Sequence, residues 1–200
     1  MALRRLHLGV GNAYIKGYTN IDLYIPGYSF LASERPDLVK KNRTTLDRYY
    51  KNSYPSQPQD FECVADRFAD ITTLDYPEDS IHEIICIQTF EHLSRQEASQ
   101  ALTCWHKILK PGGRLLIDVP DFEKLILLYL AQQTEADREW HYRMIFGSQK
   151  NEGAFHKDGY SLCKLYEMLE AHGFKNIRVR NNGHPYPAIV MEASKSKLAL

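Results

Sequence analysis

Nothing in the 200-residue chain approaches the ~18 consecutive apolar residues of a membrane span. The opening Met1-Ala2-Leu3-Arg4-Arg5 carries no apolar leader. A cytoplasmic protein with no membrane partner is therefore expected. Net charge is missing as well: 25 Lys plus Arg balance 25 Asp plus Glu, so no whole-chain field points to nucleic acid or an anionic surface. Cysteine is sparse, and Cys63, Cys86, Cys104 and Cys163 show no Cys-x-x-Cys spacing, which leaves reduced core thiols as the plain reading. His7, His82, His106, His141, His172 and His184 share no ligand spacing, so no metal is expected. Repeats and low-complexity tracts are absent, and the length suits one domain over 1–200.

What is present begins with Leu6-His7-Leu8-Gly9-Val10-Gly11-Asn12, followed by Ile21-Asp22-Leu23. An apolar run suits a buried parallel strand, and the two glycines let the backbone turn sharply and approach a ligand. An acid at the tip of the next strand can accept both hydroxyls of a ribose. Read alone, Gly-x-Gly also describes an ordinary tight turn.

The remaining chain alternates strands and helices. Pro26, Gly27, Pro36, Pro55 and Pro58 punctuate a tyrosine-rich insertion at about 26–60, with one helix expected from Asp37 to Lys51 on Leu38, Leu46 and Tyr49. Phe61–Ala65, Ile84–Ile87 and Leu115–Val119 read as strands. Ser94 and Glu97 form a capping box before Ala98, Ala101, Leu102, Trp105, Ile108 and Leu109 at helical spacing, with Pro111-Gly112-Gly113 beyond. Helices follow from Phe122 to about Gln133 and from Ser161 to Gly173. Ile177–Val179 and Ile189–Met191 are joined by the turn-rich Asn181–Pro185, too short for a crossover, so that pair is antiparallel. The class is α/β: a mostly parallel sheet with one antiparallel strand in a C-terminal hairpin and helices on both faces.

Several motifs in order carry a family resemblance. Leu6–Asn12, Asn20-Ile21-Asp22, Asp70-Ile71, Ile84–Leu93 with its Glu91-His92-Leu93, Leu109–Leu115 with its Lys-Pro-Gly-Gly, and Gly173–Ile177 together resemble the Rossmann-like (class I) S-adenosylmethionine-dependent methyltransferases. Only ten residues separate Gly11 from Asp22, too few for the usual first helix. In this the chain is similar to a methyltransferase type 11-like sub-group with a Tyr-Ile-Pro-Gly-Tyr-x-Asn-x-Asp pattern, where Lys16 here replaces the proline. The same shortness disfavours a nicotinamide oxidoreductase, whose glycine motif needs a helix after it.

The resemblance implies S-adenosyl-L-methionine as cofactor. It implies Gly9, Val10, Gly11 and Asn12 beside the methionine part, Asp22 and Leu23 at the ribose, and Asp70 with Ile71 at the adenine. Gln88 and Thr89 would then lie near the sulfonium, with Glu91 and His92 also among the cofactor-binding residues and possible as bases. Asp70 capping a turn, and Glu91-His92 ordering a strand end, are the structural readings of the same residues. For catalysis, His156 in a loop over about 147–160 is the candidate base and acceptor-side lid. Six basic residues (Arg35, Lys40, Lys41, Arg43, Arg48, Lys51) with Tyr28, Tyr49, Tyr50 and Tyr54 suit an anionic or sugar-like small-molecule acceptor, though a solvated helix face suits them better. The rival function is a non-catalytic S-adenosylmethionine-binding or regulatory partner, because no Asp/Asn-Pro-Pro-aromatic tetrad stands after the fourth strand, where Gln88-Thr89-Phe90-Glu91 occurs.

Overall fold

Leu6, His7 and Leu8 are all buried, as a strand covered on both faces must be. They belong to β1 (Arg5–Leu8), an interior strand of the main sheet. The computed structural model describes residues 3–51, 62–181 and 183–196. After β1 come the two-residue β2 (Tyr14–Ile15) and β3 (Thr19–Asp22), with no helix between them, as the short spacing requires.

The segment expected as an insertion contains β4 (Ser29–Leu31), α1 (Pro36–Asn42), β5 (Arg43–Thr44) and α2 (Leu46–Lys51). The single helix expected over Asp37–Lys51 is thus two helices. Arg43 is extended and pairs in parallel with Tyr14, as Thr44 does with Ile15, and the Thr45 hydroxyl accepts from Arg48 N to start the second helix. β-Branched Thr44 and Thr45 favour that break. Residues 52–61, with Tyr54, Pro55, Pro58 and Phe61, lie outside the described residues, so the strand expected from Phe61 is described only as β6 (Cys63–Ala65).

β7 (Arg67–Phe68) and β8 (Ile81–Ile87) lead to α3 (Arg95–Ile108). Its capping box is complete: Ser94 N donates to Glu97 Oε2 at 2.7 Å and Glu97 N to Ser94 Oγ at 3.3 Å. β9 (Leu109–Pro120) is longer than the expected strand, because the Pro-Gly-Gly run is taken into it as an irregularity where the register with β8 shifts. α4 (Phe122–Ala131) is followed by α5 (Glu135–Phe146), which the periodicity does not reveal, since His141 alone on it is fully buried. α6 (Leu162–Ala171), capped by Ser161, precedes β10 (Phe174–Val179) and β11 (Ala188–Lys195).

Among the described residues, seven strands form one sheet in the order β10-β11-β9-β8-β1-β3-β7. All its pairs are parallel except those of β11, which runs antiparallel to both β10 and β9. Alternation along β8 divides the core. Ile84 and Cys86 join Trp105, Leu102, Leu165 and Leu169 of α3 and α6, whereas Ile85 and Ile87 join Ile15 and the α2 residues Tyr49 and Tyr50. No helix among the described residues is long and apolar enough to cross a membrane.

His7 is buried within this sheet and its Nδ1 pairs with Asn20 Oδ1 at 3.0 Å. Burial lowers its pKa from 6.5 to about 4, against the smaller raising effects of Asn20 and Asp22. The unfolded chain therefore takes up a proton that the native protein refuses as pH falls from 6.5 toward 4, and stability drops over that window. The full loss at this one residue is of the order of 3 kcal/mol. Urea unfolding at pH 7 and pH 4.5 should show a shallower pH dependence for a folded His7→Gln variant; an unchanged slope would remove His7 from this role.

Candidate functional site

The chain leaves β1 for β3 on one side and later returns to place β8 on the other. In an open parallel sheet, such a reversal opens a crevice beyond the carboxyl ends of the strands, where ligands bind. Gly9 leaves β1 with φ of 77° and Gly11 follows at 49°, both in the region that glycine tolerates. A Cβ on Gly9 would overlap the side chain of Thr89, which follows β8, and the Thr89 hydroxyl lies 3.3 Å from the Gly9 carbonyl. A Cβ on Gly11 would meet nothing within 4 Å. One glycine permits two loops to touch, and the other borders open space that a ligand can enter.

Asp22, at the tip of β3, organises this turn. Its Oδ2 accepts from Gly11 N at 3.0 Å and from the Cys63 thiol at 3.3 Å, and its Oδ1 accepts from Leu23 N at 2.7 Å. A carboxylate has about four acceptor positions, so a diol arriving here would displace the weak thiol donor first. Val10 is buried against Cys63 and Ala65, and Asn12 is half-buried in the same turn. The structure thus brings Gly9, Val10, Gly11, Asn12, Asp22, Leu23 and Thr89 together.

Asp70 and Ile71 are placed differently. Asp70 Oδ1 accepts from Thr72 N at 2.8 Å and Thr72 Oγ1 at 2.7 Å, which caps its own turn. The Ile71 side chain is buried in the core, and its carbonyl accepts from Trp105 Nε1 at 2.8 Å. Gln88 has a φ of 48°, strained for a side-chain-bearing residue. Its N donates to the Asp118 carbonyl at 2.8 Å and its Nε2 to Asp118 Oδ1 at 2.7 Å, and these bonds hold it there.

Glu91 and His92 anchor the loop that carries His156. The Glu91 carbonyl accepts from Lys157 N at 2.8 Å, and His92 Nδ1–H donates to the Phe155 carbonyl at 3.0 Å. His156 Nδ1–H donates to the Met144 carbonyl at 3.0 Å, and its Nε2 lies 3.9 Å from Glu91 Oε1. Because a carbonyl can only accept, each ring carries its proton on Nδ1 and keeps a lone pair at Nε2. The two rings meet edge to face at 4.7 Å. Burial, then the neighbouring His92, lowers the His156 pKa to about 4, and burial also lowers that of His92. Burial raises Glu91 to about 8, with Asp118 adding to the rise. This group is neutral at pH 7.

Sequence reading missed a second polar centre. Asp118 is fully buried in β9 and accepts from Gln88, from Tyr50 Oη at 2.9 Å and from His184 Nε2 at 2.7 Å. The available signal was one acid inside the otherwise apolar Leu115–Val119. Tyr49 and Tyr50, read as near an acceptor, are core residues, and Arg35 is paired with Asp37 and Glu62. A cavity of about 420 Å³ is lined by Asp47, Tyr50, Lys51, Arg180, Asn181 and Gly183. None of the expected cofactor residues lines it, so the candidate site rests on the strand-end geometry and not on this hollow.

Residues 38–117 match the family model described as a methyltransferase domain. That stretch includes Asp70, Ile71, Gln88, Thr89, Glu91 and His92 but neither the glycine turn nor His156. No curated protein sequence matches the chain. Among solved structures, the apo S-adenosylmethionine-dependent methyltransferase SibL is 16% identical with a TM-score of 0.57, over 98% of this chain and 51% of that one. A Methanosarcina mazei S-adenosylmethionine-dependent methyltransferase is 16% identical at a TM-score of 0.55, covering 98% and 94%. A Burkholderia thailandensis 1,6-didemethyltoxoflavin-N1-methyltransferase, with bound 1,6-didemethyltoxoflavin and S-adenosylhomocysteine, is 15% identical at 0.51, covering 96% and 71%. The chain spans about half the length of the first of these. The strand order and these neighbours show a Rossmann-like α/β fold, and residues 38–117 are similar to a methyltransferase domain.

Proposed function

We propose that the chain transfers a methyl group from S-adenosylmethionine to a small-molecule acceptor in the cytoplasm. The observation that carries this reading is the turn at the β1–β8 reversal, where Gly11 borders open space beside Asp22 while Gly9 packs on Thr89. When bound, the cofactor supplies a sulfonium methyl, whose carbon bonds to the acceptor's lone pair as the carbon–sulfur electron pair stays on sulfur. Gly9 to Asn12 would line the methionine part and Asp22 and Leu23 the ribose. Asp70 would meet the adenine edge through the oxygen opposite its turn, with Ile71 packed behind. Gln88, Thr89, Glu91 and His92 would close the floor below the methyl group.

The chain's own contribution is to hold the acceptor in line and exclude water, an effect worth up to ~7–11 kcal/mol. The described part of the 26–60 segment, up to Lys51, and the 147–160 loop would wall the acceptor. Lys41, Arg43 and Arg48 are exposed there, which favours an anionic or sugar-like molecule. The Burkholderia neighbour, a methyltransferase with bound 1,6-didemethyltoxoflavin and S-adenosylhomocysteine, supports the acceptor class. His156 would present its Nε2 lone pair to the acceptor proton. With a pKa near 4 it stays unprotonated through the neutral range, so it is available but weakly basic.

S-adenosylhomocysteine should bind, and Asp22→Ala should weaken it more than about tenfold, because a charge-assisted hydrogen bond is worth ~1.5–3 kcal/mol. Unchanged affinity by calorimetry in a folded variant would overturn the cofactor site. Gly9→Val should abolish that binding, since its side chain must displace Thr89; a folded variant that binds normally would reduce the turn to a structural one. Once a labelled-methyl screen has supplied an acceptor, His156→Asn should lower turnover by ~10²–10⁴-fold with cofactor affinity kept. The wild-type rate should show no histidine ionisation between roughly pH 6 and 9, although a free histidine titrates at about 6.5. Near wild-type turnover of His156→Asn would remove it from the chemistry.

A further inference from the structure

Glu91, His92 and His156 each offer one ligand atom within 4.8 Å of the others. The two histidines come from distant parts of the chain, and a backbone carbonyl holds each ring by Nδ1: Phe155 for His92 and Met144 for His156. That is how metal-binding imidazoles are oriented, with the outer hydrogen bond fixing the tautomer and leaving Nε2 as the donor. Among the described residues, Glu91 Oε2 is buried without a hydrogen-bond partner, while Oε1 lies 3.9 Å from His156 Nε2. A buried carboxylate oxygen left unpaired is costly, and a cation between it and the imidazoles would satisfy it.

We propose that Glu91, His92 and His156 form a divalent-metal site of zinc type, with two imidazole nitrogens and one carboxylate as ligands and at least one position open. Two histidines and a carboxylate suit zinc or another borderline divalent ion, whereas magnesium and calcium prefer oxygen donors alone. The ligand atoms, within 4.8 Å of one another, must draw in toward a common centre to reach zinc–nitrogen distances of about 2.0–2.1 Å. The site adjoins the cofactor turn through Thr89, two residues before Glu91. Resting on the methyl-transfer reading, the open position would take an oxygen donor of the acceptor, a hydroxyl or carboxylate, and ease loss of a hydroxyl proton to solvent. His156 then acts as a ligand, and its weak basicity ceases to matter.

The test titrates the metal-stripped protein with ZnCl2 by calorimetry and with CoCl2 by absorption spectroscopy, without cofactor. One equivalent per chain is expected, with the visible bands of low-symmetry cobalt. Glu91→Gln, His92→Asn and His156→Asn should each weaken binding at least about 100-fold, while His172→Asn, outside the cluster, should not. If a variant fails to fold, His156→Asp, which restores a ligand, should fold and bind cobalt with altered bands. Absence of stoichiometric binding, or binding unaffected by His92→Asn and His156→Asn, overturns the proposal. Titration with S-adenosylhomocysteine in the same samples separates the two readings: protein that binds S-adenosylhomocysteine but takes up no metal sinks the metal site alone, and protein that takes up metal but binds no S-adenosylhomocysteine sinks the cofactor assignment alone.

Discussion

Residue 9 must lack a side chain, because the space where a Cβ would stand is filled by Thr89. This contact sets how closely the loop after β1 approaches the loop after β8, and the rest of the candidate site is measured from it. On one side it fixes Gly11 against Asp22. On the other it fixes the start of the short helical turn Phe90–His92, and hence where Glu91 and His92 stand. Phe90, fully buried against Trp105 and Tyr160, then fastens that turn to the core beneath α3. Without a helix after β1, no dipole of a first helix is aimed at the turn, and the burden of shaping it falls on single backbone bonds to Asp22.

The electrostatics around the turn follow one rule: ionisable groups are buried in uncharged form or given several donors. His7 and His156 stay neutral, each at about 4, and Glu91 keeps its proton to about 8. Asp118 instead collects hydrogen bonds from three side chains. Cys63, beside Asp22, is pushed up by burial first and by that carboxylate second, so its thiol is a donor and not a nucleophile. Apart from the Asp22 and Asp118 carboxylates, the surroundings of the turn are therefore poor in fixed charge.

Much of this was legible in the sequence wherever the signal was local. The capping box of Ser94 and Glu97, the apolar Ile84–Ile87 run and the Gly173 terminus each state their geometry within a few residues, and the structure has them. The missing first helix could be read from spacing alone. α5 could not, because it packs on α4 through contacts such as the Tyr129–Tyr142 hydroxyl pair at 2.9 Å and shows no clean apolar stripe. The break at Arg43–Thr45 was hidden because the β-branched threonines only favour it, and the strand that Arg43 and Thr44 pair with lies 29 residues earlier in the chain. The Glu91–His92–His156 grouping was likewise invisible: no spacing rule joins residues 92 and 156, and only the fold of the 147–160 loop brings their rings to 4.7 Å.

Asp118 carries a consequence for the order in which the molecule assembles. Its three partners lie 30, 66 and 68 residues away along the chain, on the end of β8, the β10–β11 connection and α2. Each partner closes a different long loop, and loop closure is costly before the contacts that reward it exist. The carboxylate is thus sealed only when the central sheet, the C-terminal hairpin and the inserted helix have all arrived. Until then it remains in water, where it needs no partner. The network acts late, as a latch on an assembled sheet, so it slows escape from the native state more than it speeds arrival there.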